Sequence, residues 1–278
     1  MGSDFSLLLM DKKEGVTSFS SLYPIKKEHK GEKVGHAGTL DKFASGLMVV
    51  FIGTATRLNP VFSSFGKKYR GRLAFGTETD TLDPEGTVVK ESDYIPTLKE
   101  IEEVLPSFIG KQLQTPPLYS ALHVDGKRAY QIARKGEELE MKPREIEISS
   151  LDIVSYTDGV LEFETKVSKG TYIRSLARDI AYRLNSCGHL VGLRRLEVGP
   201  YTIDDIGKDT YYLLDKTNLF STVEMDVNER KSVDNGAQLS KHIISDTAPD
   251  KPYCFVTMDN KPYGIGEKGE KFKFLARF

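Results

Sequence analysis

The residues whose types could do chemistry are few and far apart. The stretch GHAGTLDKFASGL, Gly35 to Leu47, sets one carboxylate, Asp41, among glycines, alanines and a threonine, five residues after His36. Aspartates in turns often accept hydrogen bonds from their own backbone. The pattern therefore reads in two ways: a tight turn capped by Asp41, or a carboxylate presented to a ligand that comes close because its neighbours are small. Other chemistries find little support. GIGEKG, Gly264 to Gly269, matches GxGxxG in letters, but a dinucleotide fingerprint must open a helix inside a βαβ unit, and its surroundings read as short strands. PSFIGKQ lacks the glycine-rich lead of a P-loop. HExxH, paired Cys/His spacings and the zinc deaminase signature do not occur. Cys187 and Cys254 are the two cysteines, too distant for a knuckle or a disulfide framework. No cofactor and no metal are expected.

Length and patterning bound what must hold these residues. At 278 residues the chain has room for one large domain and a small one. No apolar run approaches the roughly 18 residues of a membrane span, and FSLLLM is too short for a signal peptide. A cytoplasmic protein is expected. Lysine and arginine total 39 against 40 acids, a net charge of −1 that by itself argues against nucleic acid. The distribution argues the other way. Lys166, Lys169, Arg174, Arg178, Arg183, Arg194 and Arg195 share a segment whose one acid near them is Asp179, KKYRGR (Lys67–Arg72) is a second basic block, and KKEHKGEK (Lys26–Lys33) is a weaker third. Basic blocks carrying aromatics, here Tyr69 and Tyr172, read as a polyanion-binding face.

ASGLMVVFIG predicts a buried strand closed by Gly53, KKYRGRLAFG a second strand, and LEFETKVS a half-buried strand with Leu161, Phe163, Thr165 and Val167 inward. TLKEIEEVLPSFIG predicts a helix opened by a Thr97/Glu100 capping box and stopped by Gly110. TYIRSLARDIAYRLNSCG repeats Ile173, Leu176, Ala177, Ile180 and Leu184 at helical spacing before Gly188. Mixed elements without a βαβ rhythm predict an α+β fold. After about Leu219 the pattern changes to short strands and turns, predicting a small separate β domain.

Four motifs together resemble the TruB family of tRNA pseudouridine synthases: GHAGTLDKFASGL, KKYRGRLAFGTETDTLDPEGTVV, QTPPLYSALHVDGKRAYQIARKG and VSKGTYIRSLARDIAYRLNSCGHLVGLRRLEVGPY. They occur in the family's order and span most of residues 1–200. DNGAQLSKHIISD and PYGIGE look more loosely like the family's small C-terminal domain of PUA type. The chain departs from the pattern at Lys42, where the family usually has proline, and at His123, where it favours lysine.

The resemblance implies a catalytic core over residues 1–220 built on a mixed central sheet, with an RNA-clasping insertion at about 112–140, and a PUA-like domain over 221–278. It implies isomerisation of uridine 55 in the T loop of tRNA, with base flipping and no cofactor. By resemblance Asp41 is the catalytic carboxylate, Arg174 pairs with it, and Tyr69 stacks on the flipped base. Leu193 and Tyr172 pack the pocket, His36 fills the gap left by the base, and Lys127 and Arg128 contact phosphates. The expected partner is the tRNA T-arm, with no guide RNA, no membrane and a monomeric enzyme. Two rivals are an RNA-guided synthase of a ribonucleoprotein and a non-catalytic RNA-binding protein on the same scaffold. DxxASGLM and QTPPLYSA favour the stand-alone form, and retention of Asp41, Tyr69 and Arg174 favours an enzyme.

Overall fold

The computed structural model describes residues 5–120, 123–124, 127–128, 141–235, 237, 251–259, 261–268 and 272–277. The strands are β1 (Phe5–Lys12), β2 (Val34–His36), β3 (Ser45–Gly53), β4 (Lys67–Phe75), β5 (Thr77–Thr79), β6 (Val88–Glu91), β7 (Gly110–Gln114), β8 (His123–Val124), β9 (Lys127–Arg128), β10 (Arg144–Thr157), β11 (Val160–Val167) and β12 (Gly188–Val198), followed by β13 (Phe220–Glu224), β14 (Tyr253–Met258), β15 (Lys261–Glu267) and β16 (Lys273–Arg277). Eight of them form the central sheet, in the order β1-β3-β12-β4-β11-β10-β7 with β2 also on β3. A second sheet, β13-β14-β15-β16, closes the chain. Among the described residues no helix is long and apolar enough to cross a membrane.

All nine residues of β3 are buried, because both faces of this strand are covered. Met48 and Val50 enter one core with Leu73, Leu161, Phe163, Ile173, Leu176 and Ile180. Leu47, Val49 and Phe51 enter a second core with Leu7, Phe62, Tyr201, Phe220 and Ile265. Period-two alternation along one strand thus feeds two cores, and each buried side chain of this size contributes about 1.5–3 kcal/mol. The small C-terminal sheet is joined to the second core through Phe220 and Ile265.

The predicted strands at β3, β4 and β11 are present, and Leu161, Phe163, Thr165 and Val167 all face inward. The helix Ile173–Arg183 buries Ile173, Leu176, Ala177 and Ile180 as its spacing requires. The helix expected after Thr97 is shorter than predicted. The Thr97/Glu100 capping box opens a helix over Leu98–Val104, but Pro106 then turns Leu105–Phe108 into a 3-10 segment, and Leu98 stays exposed. A proline lacks the amide that an α-helix interior needs. Residues 112–114, where the expected RNA-clasping insertion begins, lie in β7 of the central sheet.

The sheet is mixed because β3 runs parallel to β12, pairing Ser45 with Arg194 and Gly46 with Arg195, whereas its other ladders are antiparallel. This junction admits no side chain at Gly46. Its φ is +114°, and a Cβ there would meet the Arg195 carbonyl oxygen at 2.2 Å. Gly46→Ala is expected to cost at least about 2 kcal/mol of unfolding free energy. Gly35→Ala, whose Cβ would meet Thr56 Cγ2 at an ordinary 3.7 Å, should change it by less than about 1 kcal/mol. Urea unfolding of both variants checks the difference.

Candidate active site

Asp41 sits in the loop between β2 and β3, and both of its neighbours are tied down by one N-terminal segment. Ser18 Oγ donates to the Leu40 carbonyl and accepts from the Leu40 amide, both at 2.8 Å. On the other side, the Lys42 carbonyl accepts from the Gly15 amide at 2.9 Å and from Lys12 Nζ at 3.4 Å. Lys12 is fully buried and also donates to the Val16 and Lys13 carbonyls at 2.6 and 3.0 Å. Burial, the largest influence, pushes its ammonium below the usual lysine value, while Asp41 pulls it back up. The loop thus lacks the fixed φ that proline would give at position 42, yet it is held at positions 40 and 42 by hydrogen bonds. Lys42 Nζ also reaches Glu85 at 2.8 Å across an exposed gap.

Arg174, in the first turn of the Ile173–Arg183 helix, is 5 % exposed, and each of its three guanidinium nitrogens lies against an acceptor. Nε lies 3.0 Å from Asp41 Oδ2 and Nη2 donates to Asp41 Oδ1 at 3.2 Å, a two-point grip on the carboxylate. Nη2 also donates to the Tyr119 carbonyl at 2.9 Å, and Nη1 donates to the Thr81 carbonyl at 2.7 Å and to Asp83 Oδ2 at 3.2 Å. Asp83 is buried, accepts from Thr81 Oγ1 at 2.6 Å and from the Glu85 amide at 3.0 Å, and so is fixed within its own turn. Burial pushes the Asp41 carboxyl above its ordinary value; Arg174 pulls it down, and the nearby Asp83 charge adds to the rise.

The QTPPLYS segment is laced to the start of the same helix. Gln114 Oε1 accepts from the Tyr172 amide at 2.8 Å and Gln114 Nε2 donates to the Tyr172 carbonyl at 3.1 Å. The Thr115 carbonyl accepts from Ser175 Oγ at 2.9 Å and from Arg178 Nη2 at 3.2 Å. Arg178 also binds Asp179, so it is an internal strut and not the phosphate contact or solvated charge its position in a basic run implied. Burial raises the Tyr172 phenol above its usual value, and both Arg174 and Asp41 lie close enough to act on it.

Tyr69 on β4 and Leu193 on β12 are buried in one core cluster with Leu40, directly ahead of Asp41 in the chain. His36, at the end of β2, is part-buried; burial and then Arg195 hold its imidazole below the usual value, so it is neutral at physiological pH. Lys127 and Arg128 form β9, paired with His123 and Val124 of β8; the phosphate contacts expected of their side chains lie outside the described residues. The structure therefore brings Asp41, Arg174 and Tyr172 together and packs Tyr69 and Leu193 in the core that Leu40 shares.

Three contributors went unread in the sequence: Lys12, Asp83 and Arg195. Arg195, assigned to a basic face, is buried, with Nε on the Leu47 carbonyl at 2.7 Å and Nη2 on the Gly38 carbonyl at 3.2 Å. The other basic blocks are also largely spent. Lys67 is buried and pushed down to about 8 by desolvation, with Arg195 and Lys169 adding to the shift. Lys68 and Arg70 pair with Glu164, and Arg194 with Asp11. For Asp83 a signal existed: the TDTLDPEG turn was itself one of the four motifs.

The mixed sheet carries a guanidinium-held aspartate between β2 and β3, and known proteins give the class of enzyme to which the chain belongs. Residues 26–173 match the model of the TruB family pseudouridylate synthase N-terminal domain. The tRNA pseudouridine synthase B of Borreliella burgdorferi strain ZS7 is 43 % identical over 237 residues, covering 82 % of this chain and 84 % of that protein. That of Treponema denticola is 37 % identical, covering 95 % and 83 % respectively. In fold alone, the chain is similar to one in the crystal structure of a Cbf5-Nop10-Gar1 complex, with a TM-score of 0.65 and 22 % identity over 97 % of this chain and 83 % of that one. The chain belongs to the TruB family and is a pseudouridine synthase, an isomerase.

Arg174→Lys keeps one positive charge but cannot hold two carboxylates and two carbonyls in a plane. Its single-turnover rate of pseudouridine formation should fall about 100-fold, with a lower urea midpoint because buried Asp83 loses its partner. Asp83→Asn, which leaves Arg174 in place but frees it from one anchor, should lower the rate about 10-fold or more. An unchanged rate in Asp83→Asn would remove Asp83 from the aiming of Asp41.

Proposed function

We propose that the protein converts uridine 55 in the T loop of tRNA to pseudouridine, with Asp41 as the catalytic carboxylate. The observation that carries this reading is the two-point grip of Arg174 on Asp41, within a chain 43 % identical to a tRNA pseudouridine synthase B. Breaking the N1–C1′ bond builds positive charge on the sugar, and a fixed carboxylate is suited to meet it. Asp41 then either attacks C1′ and is displaced when C5 of the turned base bonds there, or removes the C2′ proton and returns it as that bond forms. In both routes C5 loses its proton and N1 gains one. Both routes need an aimed, ionised carboxylate and a site closed to water, which would otherwise capture the sugar.

A uridine folded into a loop must be extruded to reach Asp41. Neutral His36 suits the gap it leaves, since an uncharged imidazole stacks without paying to desolvate a charge. Tyr69 suits stacking on the flipped base and proton removal from C5, and Leu193 and Tyr172 suit the walls. Lys127 and Arg128 suit phosphate contacts in a clasping insertion. The sheet of β13–β16 is proposed as a PUA-type RNA-binding domain following the catalytic core of residues 1–220. The relatives named tRNA pseudouridine synthase B, at 37–43 % identity, support a stand-alone tRNA enzyme over an RNA-guided one.

Purified protein alone should release tritium from C5-labelled uridine in a tRNA transcript, with the product at position 55. Asp41→Asn should abolish release while binding and folding persist; measurable turnover in that variant would sink the mechanism. The acid limb of the single-turnover rate should lie above the ordinary aspartate value, because burial raises the Asp41 carboxyl and protonation disables it. Arg174→Gln should move that limb further up, since the guanidinium is what pulls the carboxyl down. A limb at or below the ordinary value would contradict the assignment.

A further inference from the structure

Two short helices, Ser18–Ser21 and Tyr23–Glu28, follow one another with Leu22 in right-handed helical backbone between them. Their inward face is modest: Ser18 on the Leu40 loop, buried Leu22 and half-buried Ile25. Their large aromatics point the other way. Phe19, on the first helix, is 72 % exposed and Tyr23, opening the second, is 70 % exposed, four residues apart in the chain. Lys26, three residues further on, sets its ammonium 3.7 Å from the Phe19 ring centroid. It is also close enough to His36 to help hold that imidazole down. Lys27, Lys30 and Lys33 follow, all exposed. Unlike Lys68, Arg70 and Arg194, these four lysines enter no ion pair among the described residues.

An apolar face that could have been turned into the core but is displayed to solvent beside cations calls for a partner with flat faces and negative charge. Stacked bases on a phosphate backbone have both, and aromatic platforms flanked by lysines are how sequence-tolerant single-strand binding is built. The surface adjoins the site through the Ser18–Leu40 hydrogen bonds, one residue from Asp41. We propose that Phe19 and Tyr23 form a stacking platform for unpaired bases of the substrate RNA other than the one that enters the Asp41 site. Lys26, Lys27 and Lys30 face the adjoining phosphates. The platform rests on the RNA-modifying reading above and adds a second recognition point to it.

The test uses full-length protein and a tRNA transcript, measuring equilibrium binding and the single-turnover rate at saturating enzyme. F19A/Y23A should weaken binding about 10-fold, with the loss in the dissociation constant and not in the saturated rate. F19Y/Y23F should bind as wild type, and F19L/Y23L, which keeps apolar area without a ring face, should bind as weakly as the alanine variant. Wild-type binding by F19A/Y23A or by F19L/Y23L overturns the platform. So does a wild-type dimer in sedimentation that F19A/Y23A abolishes, since the face would then join copies of this chain. Wild-type turnover in the same samples tests the enzymatic reading separately: if wild type makes no pseudouridine, that reading fails whatever the variants bind.

Discussion

The Arg174 guanidinium between Asp41 and Asp83 is the interaction on which the site depends. Burying a cation with a single carboxylate seldom repays its desolvation. Here two carboxylates and two backbone carbonyls surround it, and that full set of acceptors makes its burial tolerable. The arrangement is asymmetric in a useful way. Asp83 is 7 % exposed and locked by Thr81 and the Glu85 amide, whereas Asp41 keeps 38 % of its side chain open. One carboxylate fixes the arginine and the other is offered outward by it. Three parts of the chain meet there: the Asp41 loop, the turn after β5 and the QTPPLYS segment.

What holds that meeting point still is the β3–β12 junction beneath it. A parallel contact of two residue pairs is short for a ladder, and the Arg195 side chain reinforces it by reaching across to the Leu47 and Gly38 carbonyls. Glycine at position 46 lets the two backbones approach closely enough for this. The same side chain therefore belongs both to the sheet and to the loop that carries Asp41. The burial of Lys12 follows similar logic, with backbone carbonyls as its acceptors. Cations solvated by carbonyls keep their field, and that of Arg195 falls on His36 and Lys67 as well.

Much of this was legible in the residues and some of it was not, for reasons that differ by element. The Ile173–Arg183 helix and the strand β11 were readable because each buries one face and their apolar periods are clean. Strand β12 was not read as a strand. Its ladder to β4 is interrupted between Leu190 and Gly192 and again between Arg195 and Glu197, and each interruption shifts the inward set by one residue. Alternation is lost, so Arg195 looked like one more surface charge in a basic run. The Asp41–Arg174 pair was reached through motif resemblance, since nothing in local spacing joins residues 133 positions apart. Lys12 left no signal at all, because KKEG reads as an ordinary polar turn.

The fate of the basic blocks bears on how a chain of net charge −1 can face a polyanion. A count of lysines and arginines treats every cation as available. Position removes many of them: Arg174, Arg195, Lys12 and Lys67 are buried, Lys68 and Arg70 pair with Glu164 on the neighbouring strand, and Arg194 pairs with Asp11 of β1. What remains for the solvent on the N-terminal side is the Lys26–Lys33 block, which looked the weakest in the sequence because Glu28 and Glu32 interrupt it. Salt-dependent affinity for nucleic acid scales with the phosphates actually neutralised, so it is governed by the lysines left at the surface and not by the total. Charge in this protein is therefore divided by depth: the inner cations are held by carboxylates and backbone carbonyls, and the outer ones stay open to solvent.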